Sequence, residues 1–464
     1  MAVTDQCRSI RRRPKSGETP LTSIGTRRLA RRVSAEEAAR LVKSGDWVEY
    51  FSTFSQPDAF DHALAARKAE LRDVKIRAGL SVRPRAVLEA DPEGAHFQWL
   101  NWHFSAYDRR MHDAGISHYI PSNLGEIGDY YLRFIDPPEV AVVRARPMGK
   151  DGMFNLGPNS LWHREILARA KVVIVETNEA LPHVFDEQAG LHASDVDYVI
   201  EGERTAMPAL PNAAATELDR AVGRLIVGEI EDGSCLQIGI GGMPNAVCSM
   251  LLDSGQKDLG VHTEMMTDGL GELYRAGRIT GAAKTLDRGK IVYSFALGTQ
   301  PLYDTLDGNA DFLCRKTAYT NPPHIIMRND RAVAINNTTQ MDLQGQAASE
   351  SDGHRHISGT GGQAQFVRGA YASAGGKSFI CLASTYERNG VRKSRIVLDL
   401  TPGNVVTTTR SDMMYVATEY GMANLKGRSV PERAKAMIGL AHPDYREDLS
   451  RQAREAGLVP RHYL

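Results

Sequence analysis

The sequence has no excess charge of either sign, with 56 Lys and Arg against 56 Asp and Glu. That balance leaves no general basic field to attract nucleic acid or an anionic membrane surface. Long apolar runs are also missing. Stretches such as residues 171–175 (KVVIV) and 291–297 (IVYSFAL) fall far short of the ~20 residues a membrane span needs, and they read as buried strands. The five cysteines, Cys7, Cys235, Cys248, Cys314 and Cys381, are odd in number and form no Cys-x-x-Cys pair. This pattern argues against a disulfide framework or a structural zinc site, and for a reducing compartment. No His-Glu-x-x-His motif occurs either. What is present is an ordinary globular balance, 42% hydrophobic and 24% charged, in 464 residues, enough for two or three domains.

Residues 1–33 depart from the balance, with Arg8, Arg11, Arg12, Arg13, Arg27, Arg28, Arg31 and Arg32 against only Asp5 and Glu18. No apolar secretory core follows these charges. The segment reads as a flexible extension of a cytoplasmic protein, with a mitochondrial transit peptide as the alternative. Past it, SAEE at 34–37 is a capping box, so a helix is expected from there to Gly45, followed by a strand at 47–51. Helix and strand signals then alternate: helices over 58–71, 104–115 and 161–170, strands over 74–80, 140–144 and 171–176. Such alternation predicts βαβ units and a largely parallel sheet. Pro208 and Pro211 break the pattern, which restarts with a helix over 216–229 and a strand over 234–238. Further helices are expected over 244–253, 430–440 and 443–455, and strands over 260–263, 290–297, 332–336, 378–383 and 413–418. The fold class is therefore α/β, with two similar open domains, 34–210 and 211–464, built on mainly parallel sheets.

Three features of the second half can carry chemistry. Gly239-Ile240-Gly241-Gly242-Met243-Pro244 joins a strand to a helix, where glycine backbone and a helix N-terminus suit a phosphate-bearing ligand. Proline in place of the third glycine rules out a dinucleotide fingerprint. A tight structural turn is the alternative reading. Glu264 follows a short strand in HTEMMTDG, where partial burial between Thr263 and Met265 would raise its pKa and make it a better nucleophile. A structural acid capping a helix or pairing with an arginine is the alternative here. Finally, ISGTGGQ at 357–363 offers glycine-rich backbone, including Gly361 and Gly362, to a developing oxyanion. Gly376-Lys377-Ser378 looks like the end of a P-loop, but Tyr371 stands where its first glycine belongs.

Together these pieces resemble the acetyl-CoA hydrolase/transferase family of CoA-transferases, in particular the 4-hydroxybutyrate and butyryl-CoA:acetate types. The blocks GIGGMPNAV, HTEMMTDG, SFALGTQPLYD, NPPHIIMRND, AINNTTQMDLQGQAASES, ISGTGGQAQFVRGA and VATEYGMANLKGRS carry the resemblance in order, and SAEEAARLVKSGDWV, PMGKDGMFNLGPN and KVVIVETNEALP extend it into the first half. It implies two α/β domains with the active site between them. Glu264 would be the catalytic glutamate, Gly362 an oxyanion-hole amide and Asn321 a residue on the substrate side. Gly239, Ile240, Gly241, Gly242, Met243 and Gly361 would lie against CoA, and Lys377 would meet a CoA phosphate. Ala364-Gln365-Phe366 departs from the Val-Asp-Phe of 4-hydroxybutyrate-type relatives, which bears on acyl selectivity.

The activity implied is transfer of CoA from a short-chain acyl-CoA to a carboxylate through acyl-glutamyl anhydride and glutamyl-CoA intermediates, with no tightly bound cofactor. Acyl-CoA hydrolysis by the same glutamate is the alternative, and a non-catalytic CoA-binding protein a further one. Partners expected are acyl-CoA and a short carboxylate, in a homodimer or homotetramer, without nucleic acid or membrane.

Overall fold

The computed structural model describes residues 30–186, 189–210, 214–460 and 462. Local sequence rules set its helix starts. Ser34 accepts the Glu37 amide at 3.2 Å while Glu37 accepts the Ser34 amide at 2.9 Å, closing the expected box ahead of helix Ala35–Ala39. Thr216 and Asp219 repeat the device before helix Glu217–Val227. Strands Val140–Ala145 and Val172–Thr177 are almost wholly buried, so they read as continuous apolar runs rather than alternating ones.

The first sheet has eight parallel strands, in spatial order Arg31–Arg32, Tyr198–Ile200, Val172–Thr177, Val140–Ala145, Trp47–Ser52, Val74–Gly79, Phe97–Asn101 and Ser117–Tyr119. Chain order runs one way from Trp47–Ser52 and then the other, so the sheet is doubly wound. The second sheet has six strands, in order Gly260–Val261, Cys235–Ile238, Ala332–Asn337, Lys377–Cys381, Tyr415–Thr418 and Gly421–Asn424. All its pairings are parallel except the last. Its switch point lies between Cys235–Ile238 and Ala332–Asn337, and crevices outside the carboxyl ends of strands at such points are where ligands bind. One buried cluster mixes the two halves, packing Met265, Phe295, Leu297 and Tyr303 with Leu161, Trp162 and Leu124.

Two expectations change. The arginine-rich extension does not reach residue 33. Arg31 and Arg32 form an edge strand paired with Tyr198 and Val199, and Arg32 makes an ion pair with Glu201. The part of the extension before residue 30 lies outside the described residues. The strand expected over 290–297 is broken into Ile291–Tyr293 and Phe295–Ala296, each with a different partner strand. The break falls where the amides of Ser294 and Phe295 both turn to the carbonyl of Glu264, at 2.9 and 3.2 Å. No described helix is long and apolar enough to cross a membrane, and the four described cysteines are buried free thiols.

Candidate active site

Glu264 lies just past strand Gly260–Val261, at the carboxyl end of the second sheet. Its backbone is fixed on both sides: Thr263 donates to the Val292 carbonyl at 2.9 Å, and the Glu264 carbonyl takes the two amides named above. The side chain is therefore aimed by a rigid segment rather than by a free loop.

Its carboxylate is gripped at one oxygen. Asn321 Nδ2 donates to Glu264 Oε2 at 2.5 Å. Asn321 is itself locked, because its Oδ1 accepts the Thr320 hydroxyl at 2.8 Å, and Thr320 in turn bonds Ser294 at 2.6 Å. The same Nδ2 reaches Gln365 Oε1 at 3.4 Å, and Gln365 also accepts the Gly125 amide at 3.1 Å. Gln365, the departure noted in the sequence, thus bears on the Asn321–Glu264 pair. It does not line the cavity beside Glu264. Desolvation pushes the Glu264 carboxyl up to about 7, with the Asn321 hydrogen bond opposing the rise.

Gly362 abuts this pair. It precedes helix Gln363–Ala372 with φ −100° and ψ 4°. A Cβ there would stand less than 3.0 Å from both Glu264 Oε2 and Asn321 Nδ2, so only glycine lets the backbone come this close. Gly361 before it has φ +57°, a left-handed conformation that glycine adopts without strain, and its carbonyl accepts the Leu124 amide at 3.1 Å.

These residues open on a cavity of about 180 Å³. From the first half come Ser52, Gly79, Leu80, His103, Leu124, Leu161 and Trp162; from the second come Gln237, Gly239, Ile240, Glu264, Met265, Phe295, Asn336, Gly362 and Phe366, among others. The cavity therefore sits between the carboxyl ends of the two sheets, as the family resemblance implied. Its volume lies below the ~300–1,000 Å³ of drug-sized sites, and its wall is mainly apolar.

The expected CoA loop is divided. Gly239 and Ile240 line the Glu264 cavity, whereas Gly242 and Met243 face a neighbouring cavity of about 210 Å³ that includes Arg395. Gly241 makes the turn between them, with φ +126°. Gly242 is required by packing, since a Cβ would lie 2.7 Å from Asp219 Oδ2.

One assignment is corrected. Lys377 begins its strand at the amino end of the second sheet, opposite the Glu264 cavity, and its ammonium meets Glu229 at 2.9 Å and Glu231 at 3.5 Å. It stands in an acidic cluster, where no phosphate would be held. Asn321 is fully buried and meets the substrate side only through Glu264.

The sequence reading placed the site between the halves but named no residue of the first half in it. His103, Leu80 and Trp162 lie in loops and at strand ends with no local motif to mark them. Gln237 does carry a signal, as a polar residue inside the apolar strand Cys235–Ile238.

Comparison with known proteins identifies the family. Residues 26–211 match the acetyl-CoA hydrolase/transferase N-terminal domain, and residues 298–453 match its C-terminal domain. The chain is 45% identical over 428 residues to the butyryl-CoA:acetate CoA-transferase of Anaerostipes caccae, covering 91% of this chain and 96% of that one. It is 34% identical over 423 residues to the 4-hydroxybutyrate coenzyme A transferase of Clostridium kluyveri, covering 91% and 97%. Among solved structures, RipA from Yersinia pestis superposes with a TM-score of 0.84 at 34% identity, covering 92% of this chain and 98% of that one. With both domains matched, in order and over most of its length, the chain belongs to the acetyl-CoA hydrolase/transferase family.

Proposed function

We propose that the protein transfers CoA from a short-chain acyl-CoA to a carboxylic acid by ping-pong chemistry on Glu264, without a tightly bound cofactor. The observation that carries this reading is the grip on the carboxylate: Asn321 holds Oε2, with Gly362 against the same oxygen, at the wall of a small apolar cavity. A carboxyl whose pKa is near 7 is ionised in useful amount at neutral pH yet poorly hydrated, which favours nucleophilic attack.

The steps follow from which oxygen is free. Asn321 occupies Oε2, so Oε1, on the Gly361 side, attacks the thioester carbonyl. The oxyanion that forms takes the Gly362 amide. Its collapse expels CoA thiolate and leaves an acyl-glutamyl anhydride. The thiolate then attacks the glutamyl carbonyl, whose oxygen is Oε2, and Asn321 is already in place to donate to the new oxyanion. Expulsion of the acid leaves glutamyl-CoA. A second carboxylate runs the steps in reverse and departs as its CoA ester, so thioester energy is conserved.

The small apolar wall of Leu80, Leu124, Leu161, Trp162 and Phe295 supports a short acyl group, and the choice of unbranched acids such as acetate, propionate, butyrate or 4-hydroxybutyrate follows from the look-alikes. The relatives named as butyryl-CoA:acetate and 4-hydroxybutyrate transferases support the same class.

The test is incubation with acetyl-CoA, alone and with excess butyrate, following CoA esters and free thiol. Butyryl-CoA formed without free thiol is expected. Free CoA released without any acid would replace transfer by hydrolysis, and retention of exchange by Glu264→Gln would overturn the assignment.

A further inference from the structure

The Glu264 cavity holds a second titratable side chain that the glutamate chemistry does not use. Among the residues lining it, only Glu264 and His103 titrate. His103 follows strand Phe97–Asn101 of the first sheet. Its backbone is pinned, the amide donating to Asn101 Oδ1 at 3.0 Å and the carbonyl accepting the Leu80 amide at 2.7 Å. The ring packs on the oxyanion loop. A Cβ on Gly359 would fall 2.6 Å from His103 Nδ1, and one on Gly361 would fall 3.7 Å from His103 Cε1 and 4.0 Å from Glu264 Oε1. Imidazole and carboxylate therefore both approach the same side of Gly361. Neither ring nitrogen of His103 has a hydrogen-bond partner among the described residues, although the ring lines a cavity whose other walls are mostly apolar.

We propose that His103 is the acid-recognising residue of this site: its imidazole N–H donates to the carboxylate oxygen of the acid that does not attack, and so holds the other oxygen toward the glutamyl carbonyl. The inference rests on the CoA-transferase reading. The charge state of the ring suits the role. Burial, with help from the positive field of His356 and Arg109, pushes the imidazole down to about 4, while burial lifts Glu264 to about 7. The usual order of a histidine and a glutamate is inverted, so between these values a proton goes to the glutamate and the ring stays neutral. A neutral donor orients an acid. A cation facing Glu264 would pair with it and blunt its attack.

Ping-pong kinetics separates the two groups. The kcat/KM for acyl-CoA reports the free enzyme, in which Glu264 titrates. The kcat/KM for the acid reports the glutamyl-CoA enzyme, in which Glu264 is a thioester and carries no charge. With butyrate as the acid, the second profile is expected to be flat from about pH 5.5 to 8, while the first rises through about pH 7. His103→Ala is expected to lower kcat/KM for butyrate roughly 10- to 150-fold, the loss of one hydrogen bond to a charged group, and to lower kcat/KM for butyryl-CoA by a similar factor, because expulsion of the acid retraces its attack. His103→Asn or His103→Gln, which restores an N–H near one ring nitrogen or the other, should recover most of that loss at an unchanged melting temperature.

Three results overturn the proposal while leaving the transferase reading intact: butyrate kinetics of His103→Ala within about threefold of wild type, an acid profile that falls as pH rises through about 6.5, or Asn and Gln variants as impaired as Ala. Absence of exchange in the wild type would instead overturn the transferase reading, and this inference with it.

Discussion

Replacing Gly362 by alanine isolates the geometry of the site from its chemistry. Backbone at φ −100° and ψ 4° is open to alanine, so the substitution brings no backbone strain. Restricting the unfolded chain would even favour folding by about 0.4–1 kcal/mol. The added methyl meets Glu264 Oε2 and Asn321 Nδ2 at less than 3.0 Å and Phe366 Cδ2 at 3.2 Å. Either the carboxylate or the loop must give way by about 1 Å, and a misplacement of that size costs on the order of 10²-fold in rate. The same shift pulls the Gly362 amide off the oxyanion, a donor whose loss is by itself typically worth about 10²–10³-fold. The expected result is therefore kcat reduced by about 10²-fold or more, with KM for acyl-CoA little changed and the melting temperature near that of wild type. Gly439→Ala is the control: an exposed position in helix Val430–Leu440 where an added Cβ meets nothing within 4 Å. That variant should keep full activity and gain roughly 0.5–1 kcal/mol in stability. Steady-state exchange, thermal melting and mass detection of glutamyl-CoA decide the matter. A Gly362→Ala enzyme within about threefold of wild-type kcat would refute the contact, because a clash of about 1 Å cannot be that mild.

Asn321→Asp sets two carboxylates against each other where one donor now holds Oε2, so the rise of kcat/KM for acyl-CoA should move from about pH 7 to higher pH and the neutral-pH rate should fall at least tenfold. The raised pKa of Glu264 also has a consequence for stability. The unfolded chain loses that proton near 4.5 and the folded one near 7, so native stability falls as pH rises across this window and is level above it. Glu264→Gln removes the penalty, and its melting temperature should exceed that of wild type by more at pH 8 than at pH 5. Lys377→Ala should leave KM for acyl-CoA unchanged while lowering the melting temperature, because its ammonium serves Glu229 and Glu231 on the far side of the sheet.

Much of the architecture was legible because local rules coincide with the fold. A capping box marked the start of helix Ala35–Ala39, an apolar face marked helix Glu217–Val227, and buried parallel strands showed as short apolar runs. Glu264 was legible as a carboxylate set among apolar residues just after a strand. What escaped was anything fixed by contacts distant in sequence. The edge strand Arg31–Arg32 has two exposed charged residues and no apolar pattern, so only its pairing with Tyr198 and Val199 reveals it. Asn321 was named from the family resemblance alone, because its bond to Glu264 spans 57 positions and is written in no local motif. Lys377 was placed at a CoA phosphate on the resemblance, with no local motif to support it; the end of the strand it occupies decides otherwise.

The same long-range contacts explain why the site needs both halves. The loop that carries Gly362 belongs to the second half, but the first half holds it in place. Phe104 donates to the Ser358 carbonyl at 3.1 Å, Arg109 to the Ile357 carbonyl at 2.9 Å and Leu124 to the Gly361 carbonyl at 3.1 Å, while Tyr119 accepts the Thr360 amide at 3.0 Å. Arg355 adds a two-pronged ion pair to Asp113 beside them, at 2.7 and 2.6 Å. An oxyanion donor is effective only if its position is set before charge develops. Here the position of Gly362 is set by a domain that supplies neither Glu264 nor Asn321. The first half is thus the frame against which the Glu264 machinery is registered, and the second half folded alone would keep Glu264 and Asn321 but lose the register of Gly362.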